Sequence, residues 1–369
     1  MYQSPTPIAR PALSGRVLNR LANAALLLAL LLGLPMASAL ANINPPSVSV
    51  SDTSNYSVGG SAVVVAPNLT ISDDDNENID GARVAITTNF NSSTDRLGIS
   101  GQGTATSGAV SGLSWSYGTG TGVLSISGVA AVSTYQAALR QMIFYTTGSP
   151  AANARTVQFS LGSSVANPAN GHFYEYISTP TLTWTNARTA AAGRTLFGLQ
   201  GYLVTVTSAA EQSFVSNKLA GSTGWLGAND ASVNKVWRWV TGPEGTEDGG
   251  QGRLFFRQNG WTSDAGPNGC GIGPSVGNQP VGQYSNWNPS EPNDYSNGCA
   301  GNENYGQFVT TSGQWNDLSN SNSLGYVVEY GGSAGDPVLN IPGNATVNVV
   351  YTPTINNVTP SNGPTAGGT

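Results

Sequence analysis

Seven of the eight tryptophans in this 369-residue chain fall between Trp184 and Trp315. Tryptophan offers the largest apolar surface a side chain can bury, so that stretch has to build a core of its own. Upstream the texture differs. The runs SAVVVAPNLTIS (61–72), ARVAITTNF (82–90), GVLSISGVA (122–130) and RTVQFSLG (155–162) are rich in β-branched residues and are separated by Gly, Asn, Ser and Asp. That is the pattern of short strands joined by turns, and an all-β sandwich over residues 42–168 is its simplest product. The chain is therefore expected to be multi-domain, with a tryptophan-rich α+β region over 169–332 following the sandwich.

The N-terminus carries Arg10, Arg16 and Arg20, then an apolar run from Ala24 to Leu34, then small residues ending Ala39-Leu40-Ala41. This is the layout of a cleaved secretory signal peptide over residues 1–41. The apolar run is about half the roughly 20 residues a spanning helix needs. The expected location is therefore secreted or cell surface, without membrane insertion of the mature chain. Without those three arginines, 11 of the 14 Lys+Arg remain against 20 Asp+Glu, a net charge of about −9. Such a chain is not built to hold nucleic acid or anionic lipid, whereas acidic surfaces suit cations. Cys270 and Cys299 are the two cysteines, and in an oxidising compartment a disulfide between them is the natural reading.

Two helices are expected in the second region. In TWTNARTAAAG, Trp184, Ala187 and Ala191, together with Arg188, follow helical spacing. In SAAEQSFVSNKLAG, Ser208 is placed to cap the N-terminus with Glu211 three residues on, a capping-box pattern, and Gly221 to end the helix. After Gly332, DPVLNIPGNATVNVVY offers one or two strands, too few to stand alone. Residues 336–351 are expected to complete the first sandwich, which would make the intervening segment an insertion. The turn SDDDNEN sets Asp73, Asp74, Asp75, Asn76 and Asn78 close together, an oxygen-rich set that can hold a second calcium or simply form a solvated acidic turn. The strand and turn pattern around it resembles cadherin-like, Ig-like repeats of large bacterial surface proteins. The tail PTINNVTPSNGPTAGGT (352–369) resembles the opening of an IPT/TIG immunoglobulin-like domain, so further C-terminal domains are expected.

The most polar stretch is WNPSEPNDYSNGCAGNEN (287–304), and it is followed by GQWNDL. The order FYEYIS, TWTNARTAAAG, GYLVTVTSAAEQ, GWLGAND, VWRWVTGPEG, NWNPSEPND, NEN, GQWNDL, GYVVEY resembles a C-type lectin-like domain over about 160 residues. The residues make a physical case of their own. Calcium takes roughly 6 to 8 oxygen ligands from carboxylates, amides and water, and Glu291, Asn293, Glu303, Asn316 and Asp317 offer such a set. A sugar hydroxyl on the metal can donate its proton to a carboxylate and accept from an amide NH2. Alternating acid and amide side chains provide both. Glu291 with Asn293 would serve one hydroxyl of a vicinal pair, and Glu303 with Asn316 the other, with Asp317 completing the metal shell.

The resemblance implies a cis Pro292 and, from Glu-Pro-Asn, mannose-type ligands: mannose, glucose, fucose or N-acetylglucosamine glycans with vicinal equatorial hydroxyls. Departures are visible too. The positions of two expected disulfides hold Ala191 and Val328, and approximately Tyr305 and Asn320. A Cys270–Cys299 bond would instead close the loop around Glu291 and Asn293. Asp294 and Asn304 can support an accessory calcium. Tyr295 is a candidate to stack on a sugar, Tyr284 a weaker one, while Trp287 is expected to pack the loop base and Trp225, Trp237 and Trp239 the core. The single histidine, His172, reads as a strand-end residue, and no nucleophile or zinc-protease motif accompanies it, so no enzyme is expected. The expected function is a calcium-dependent, carbohydrate-binding adhesin module. The alternative keeps the fold, with calcium ordering the loop for a protein or ice ligand.

Overall fold

The computed structural model describes residues 45–74, 78–219, 223–259, 276–278, 283–289, 291–294, 303–309 and 313–352. The signal-peptide pattern, the IPT/TIG-like tail beyond Thr352, Asp75, Asn76, Gly221, Cys270, Tyr295 and Cys299 lie outside the described residues. Among those described, no helix is long and apolar enough to cross a membrane.

The N-terminal region is β-rich. Its main sheet has seven strands, in the spatial order Thr53–Ser57, Pro342–Val350, Ala154–Leu161, Asn78–Thr88, Val123–Ala131, Leu113–Gly118 and Ser107–Val110. Val63–Val64, Met142–Thr146 and Asp95–Ile99 make a three-stranded sheet. Period-two alternation sorts the main sheet's residues. Ala82, Val84, Ile86, Leu124, Ile126, Trp115 and Tyr117 enter the core between the sheets. Ala85 and Val123 lie on the other face and are nonetheless buried, in a second cluster with Val165, Tyr174 and Leu219. The tryptophan-rich region therefore covers the outer face of this sheet. The fold is not purely β here: helix α1, Val132–Leu139, connects two strands and buries Tyr135, Ala138 and Leu139.

The chain leaves the seven-stranded sheet after Leu161 and re-enters it at Pro342. Pro342–Val350 runs parallel to Thr53–Ser57 and antiparallel to Ala154–Leu161. Ala345, Val347 and Val349 point into the sandwich core. A strand from the far end of the sequence is thus interior to the sheet.

Between these points lies an eleven-stranded mixed sheet with two helices. Helix α2, Trp184–Ala192, is capped by Thr183 Oγ1, which accepts from the Asn186 N–H, and it buries Trp184, Ala187 and Ala191. Arg188 is exposed; its guanidinium lies 5.7 Å from the Trp184 ring. Helix α3, Ala209–Lys218, is capped by Ser208, whose side chain accepts from the Glu211 N–H. The capping box is only half formed. The Glu211 carboxylate accepts from the Thr207 N–H at 2.7 Å instead of returning to Ser208, because Tyr174 also claims it at 2.5 Å. At the positions expected to carry disulfides, Ala191 and Val328 are fully buried with Gly201 between them. A Cβ on Gly201 would lie 2.7 Å from the Ala191 carbonyl and 3.0 Å from Val328 Cγ1.

Candidate functional site

The oxygen-rich loop is fastened to the core before it reaches its polar residues. Trp287 packs edge-on against Trp237 at 4.7 Å and Trp315 at 5.8 Å, and Trp315 in turn meets Trp239 at 5.4 Å. Two main-chain bonds strap the loop to the strand Trp315–Leu318: Asn288 N–H to the Trp315 carbonyl, and Trp315 N–H to the Asn286 carbonyl, both 2.8 Å. Trp287 thus occupies the loop base. Tyr284 joins the same aromatic group, edge-on to Trp315 at 5.8 Å, so its ring is engaged within the protein.

From that base the chain passes through the cis Glu291–Pro292 bond to meet Asp317. Asp317 is fully buried. Its Oδ1 accepts from the Asn293 N–H at 3.0 Å and its Oδ2 from the Asp294 N–H at 2.7 Å. The Glu291 carboxyl is hydrogen-bonded to the same carboxylate. Burial first, then that contact with Asp317 and the charge of Glu303, push Glu291 up to about 8. Asp317 is also raised, by burial, although the two main-chain donors oppose the shift. Two adjoining carboxyl groups that both resist ionisation mark a place where a cation would be favoured. Asn316 precedes Asp317 and its amide donates to the Asp317 carbonyl. Glu303 is half-buried beside the strand Tyr305–Phe308.

Thus Glu291, Asn293 and Asp317 meet directly, Asn316 adjoins them in sequence, and Glu303 is felt as charge. The carboxylates are more widely set than a closed metal shell. Among the described residues, only His172, Glu211 and Glu329 bring three such ligand atoms within 4.8 Å of one another.

A second acidic group adjoins the first. Asp230 ends the buried strand Gly224–Asn229. Burial, then the charges of Asp294 and Asp317, push it up to about 7. Among the described residues, neither Asp230 Oδ1 nor Asp294 Oδ1, both buried, has a hydrogen-bond partner. Asn234 Nδ2 reaches Asp294 Oδ2 at 3.4 Å. The expected partner of Asp294, Asn304, contributes its main chain: its carbonyl accepts from the Asp230 N–H at 3.2 Å. Sequence reasoning missed Asp230 and Asn234. The motif GWLGAND was on view, but its aspartate follows an apolar run that reads only as core. Buried, unpartnered carboxylate oxygens beside a second acid fit a hard divalent cation, and this donor set matches calcium rather than a soft metal.

Of the N-terminal acidic turn, Asp73 is half-buried and Asp74 and Asn78 are exposed. None of the three belongs to a converging group of acids among the described residues.

His172 immediately precedes the strand Phe173–Leu182, as the strand-end reading has it, and it also makes a contact that reading did not include. Its Nδ1 lies 2.6 Å from Glu329 Oε1. Glu329 Oε2 accepts from the Thr205 N–H at 3.0 Å, and the Tyr174 hydroxyl lies 3.2 Å from Glu329 Oε1. Burial pushes Glu329 up to about 7, with the His172 contact pulling the other way. Burial opposes the charge on His172, but Glu329 outweighs it and raises the imidazole.

Residues 181–329 match the family model described as Lectin C-type domain, and this part of the chain is a C-type lectin-like domain. Halomucin of Haloquadratum walsbyi is 35% identical over 224 residues, covering 59% of this chain and 2% of halomucin. Asialoglycoprotein receptor 1 of Rattus norvegicus is 30% identical over 117 residues, covering 31% of this chain and 28% of the receptor. C-type lectin domain family 10 member A of Mus musculus is 29% identical, also over 117 residues, covering 31% and 26%. The chain thus spans only a minor part of each of these relatives. Among solved structures, the C-type lectin CEL-I of Cucumaria echinata is 22% identical, covers 46% of this chain and 95% of CEL-I, and has a TM-score of 0.31. A calcium-independent type II antifreeze protein is 17% identical, covers 45% of this chain and 90% of that one, with a TM-score of 0.30.

Proposed function

We propose that this chain is an exported, calcium-dependent carbohydrate-binding protein of a cell surface, acting as an adhesin or glycan receptor. The N-terminal β-rich region would be a cadherin-like repeat that presents the lectin-like domain. The observation that carries the reading is the convergence on Asp317. One buried carboxylate accepts from the main chain of Asn293 and Asp294 and is hydrogen-bonded to Glu291, the acid that begins the Glu-Pro-Asn triplet. Glu291, Asn293, Glu303, Asn316 and Asp317 would hold calcium, which when bound offers coordination positions to sugar hydroxyl oxygens. The side chains supply the rest. Glu291 and Glu303 accept hydroxyl protons, and the Asn293 and Asn316 amides donate to hydroxyl oxygens. This order of acid and amide suits mannose-type sugars, and Tyr295 is placed in sequence to stack on one. A single shallow site of this kind binds on the order of millimolar, so useful adhesion would come from many copies.

A glycan array probed in calcium and again in EDTA tests this. Calcium-dependent signal on mannose, fucose or N-acetylglucosamine, lost in Asn293→Ala, is the expected result. The exchange Glu291→Gln with Asn293→Asp should move preference toward galactose. Silence on every glycan would sink the sugar assignment and direct attention to protein or ice ligands.

A further inference from the structure

A cleft of about 270 Å³ lies where the lectin-like domain covers the seven-stranded sheet, with Arg83, Ser116 and Ser125 on the sheet side and Lys218 and Tyr176 opposite. The sheet residues form a row. Arg83 is directly opposite Ser125, and Ser125 directly opposite Ser116, on three neighbouring antiparallel strands. Residues so paired share one face, and it is the face that Ala85 and Val123 bury against the lectin-like domain. The row is therefore a polar strip at the rim of that junction, with Ser116 exposed and Arg83 and Ser125 half-buried.

Arg83 is the anomaly. The net charge of this chain is −6. Arg155 pairs with Asp95, Arg194 with Glu175 and Arg253 with Glu247, while Arg96 and Arg140, without an acid among the described residues, donate to main-chain carbonyls at 2.7 Å. Arg83 makes no ion pair among the described residues. Its one hydrogen bond runs from Nη1 to the neighbouring Ala82 carbonyl at 3.2 Å, which leaves most of its five donors open. Burial pulls its pKa down, with only the more distant charges of Glu175 and Asp80 in support.

The other charged groups of the cleft do not occupy it. Both Glu175 oxygens are held by Arg194 Nη2 at 2.9 Å, and the Tyr330 hydroxyl adds a bond at 3.0 Å. The Lys218 ammonium donates to the Ile86 carbonyl at 2.5 Å and the Thr121 carbonyl at 2.9 Å, and lies 4.5 Å from the Phe90 ring centroid. It lends the cleft a positive charge at neutral pH rather than a free donor. A guanidinium with an open fork, a second cation and two serine hydroxyls, walled by low-dielectric surface, make a receptor for a tetrahedral oxyanion.

We infer that this cleft binds a sulfate or phosphate group, free or esterified on a sugar, through the Arg83 guanidinium and the hydroxyls of Ser116 and Ser125. The site is separate from the calcium loop and uses both halves of the chain. Isothermal titration of the whole protein with sodium sulfate tests it, with sodium chloride at matched ionic strength as reference. Saturable sulfate binding is expected, weakened at least about tenfold in Arg83→Gln by loss of charged hydrogen bonds, and weakened less in Ser125→Ala. Glucose 6-sulfate binding more tightly than inorganic sulfate would place the ligand on a glycan; equal binding would make it the free ion. Absence of saturable heat in the wild type, or equal affinity in a folded Arg83→Gln protein, would overturn the inference. If Arg83→Gln does not fold, Ser125→Ala and Ser116→Ala carry the test, and unchanged affinity in both would overturn it.

Discussion

Replacing Asp317 separates its part in holding the loop from any part in holding a metal. In Asp317→Asn one oxygen remains to accept from one of the two main-chain donors, Asn293 N–H or Asp294 N–H, now at 3.0 and 2.7 Å. The new NH2 faces the other. One buried N–H then lacks an acceptor, at a cost of about 1–3 kcal/mol. Asp317→Ala strands both, at roughly twice that cost. Losing the negative charge relieves the crowding with Glu291, so the Asn variant falls toward the lower end of its range. At about 2–4 °C per kcal/mol for a domain of this size, Asn should melt roughly 2–8 °C below wild type and Ala lower still. The assay is thermal melting by circular dichroism in EDTA. In calcium the wild type should gain about 2.7 kcal/mol when the free ion is a hundredfold above its dissociation constant, and neither variant should gain. Variants that melt with the wild type in EDTA would show that the two main-chain bonds do not hold the loop. A full calcium response in Asp317→Ala would remove Asp317 from the metal shell.

Burial lowers Lys218 from 10.5 to about 8, so between those values the unfolded chain holds more protons and stability rises with pH. The urea midpoint of the wild type should therefore gain on Lys218→Met from pH 8 to 10, and a constant difference would refute the shift. The His172–Glu329 pair acts in the opposite direction. Glu329 is raised from 4.5 to about 7 and His172 is raised above 6.5, so the folded state holds the extra protons, and stability is lost as pH climbs from about 4.5 through 7. Wild type should lose stability relative to Glu329→Gln over that interval, as followed by urea melts at each pH; parallel curves would contradict this. Deleting residues 336–352 should unfold the N-terminal sheet, because Thr53–Ser57 and Ala154–Leu161 would lose the strand between them. A stable 42–168 fragment in limited proteolysis would refute that.

Helices α2 and α3 were legible because their signals are local: apolar residues at helical spacing in the first, and a Ser cap with Glu three residues on in the second. Helix α1 was not. Its cap position, Ala131, offers no side-chain hydrogen bond, and VSTYQAAL opens with residues that read as strand. The Glu-Pro-Asn and Trp-Asn-Asp triplets were found because each is contiguous. Asp230 and Asn234 escaped because their link to Asp294 is purely tertiary: Asn234 and Asp294 lie 60 positions apart, and no spacing in the sequence connects them. His172 is 157 positions from Glu329, and nothing near either residue announces the other. Arg83 sits in a run that alternates as a strand should, and only the cleft that forms around its guanidinium in space sets it apart.

The missing disulfide positions show how this chain meets a structural need by other means. A native disulfide in a small secreted domain is worth about 2–5 kcal/mol. Here one site brings Ala191 and Val328 together across Gly201, where any side chain would strike the Ala191 carbonyl. At the other, Tyr305 packs against Trp184 with ring centroids 4.7 Å apart and planes tilted by 36°, while Asn320 Oδ1 accepts from the Thr185 N–H at 3.1 Å. Both substitutes close on α2, the helix that a covalent staple would have fixed. Packing of this sort is less local than a covalent bond and depends on the surrounding core remaining filled. The sheet beneath contributes to that: Ala85 and Val123 extend the core that also contains Trp239 and Trp315, and those rings support the loop carrying Glu291. The loop carrying Glu291 is therefore braced, through its aromatic base, by the N-terminal sheet. That arrangement accounts for a strand after the domain returning to the same sheet.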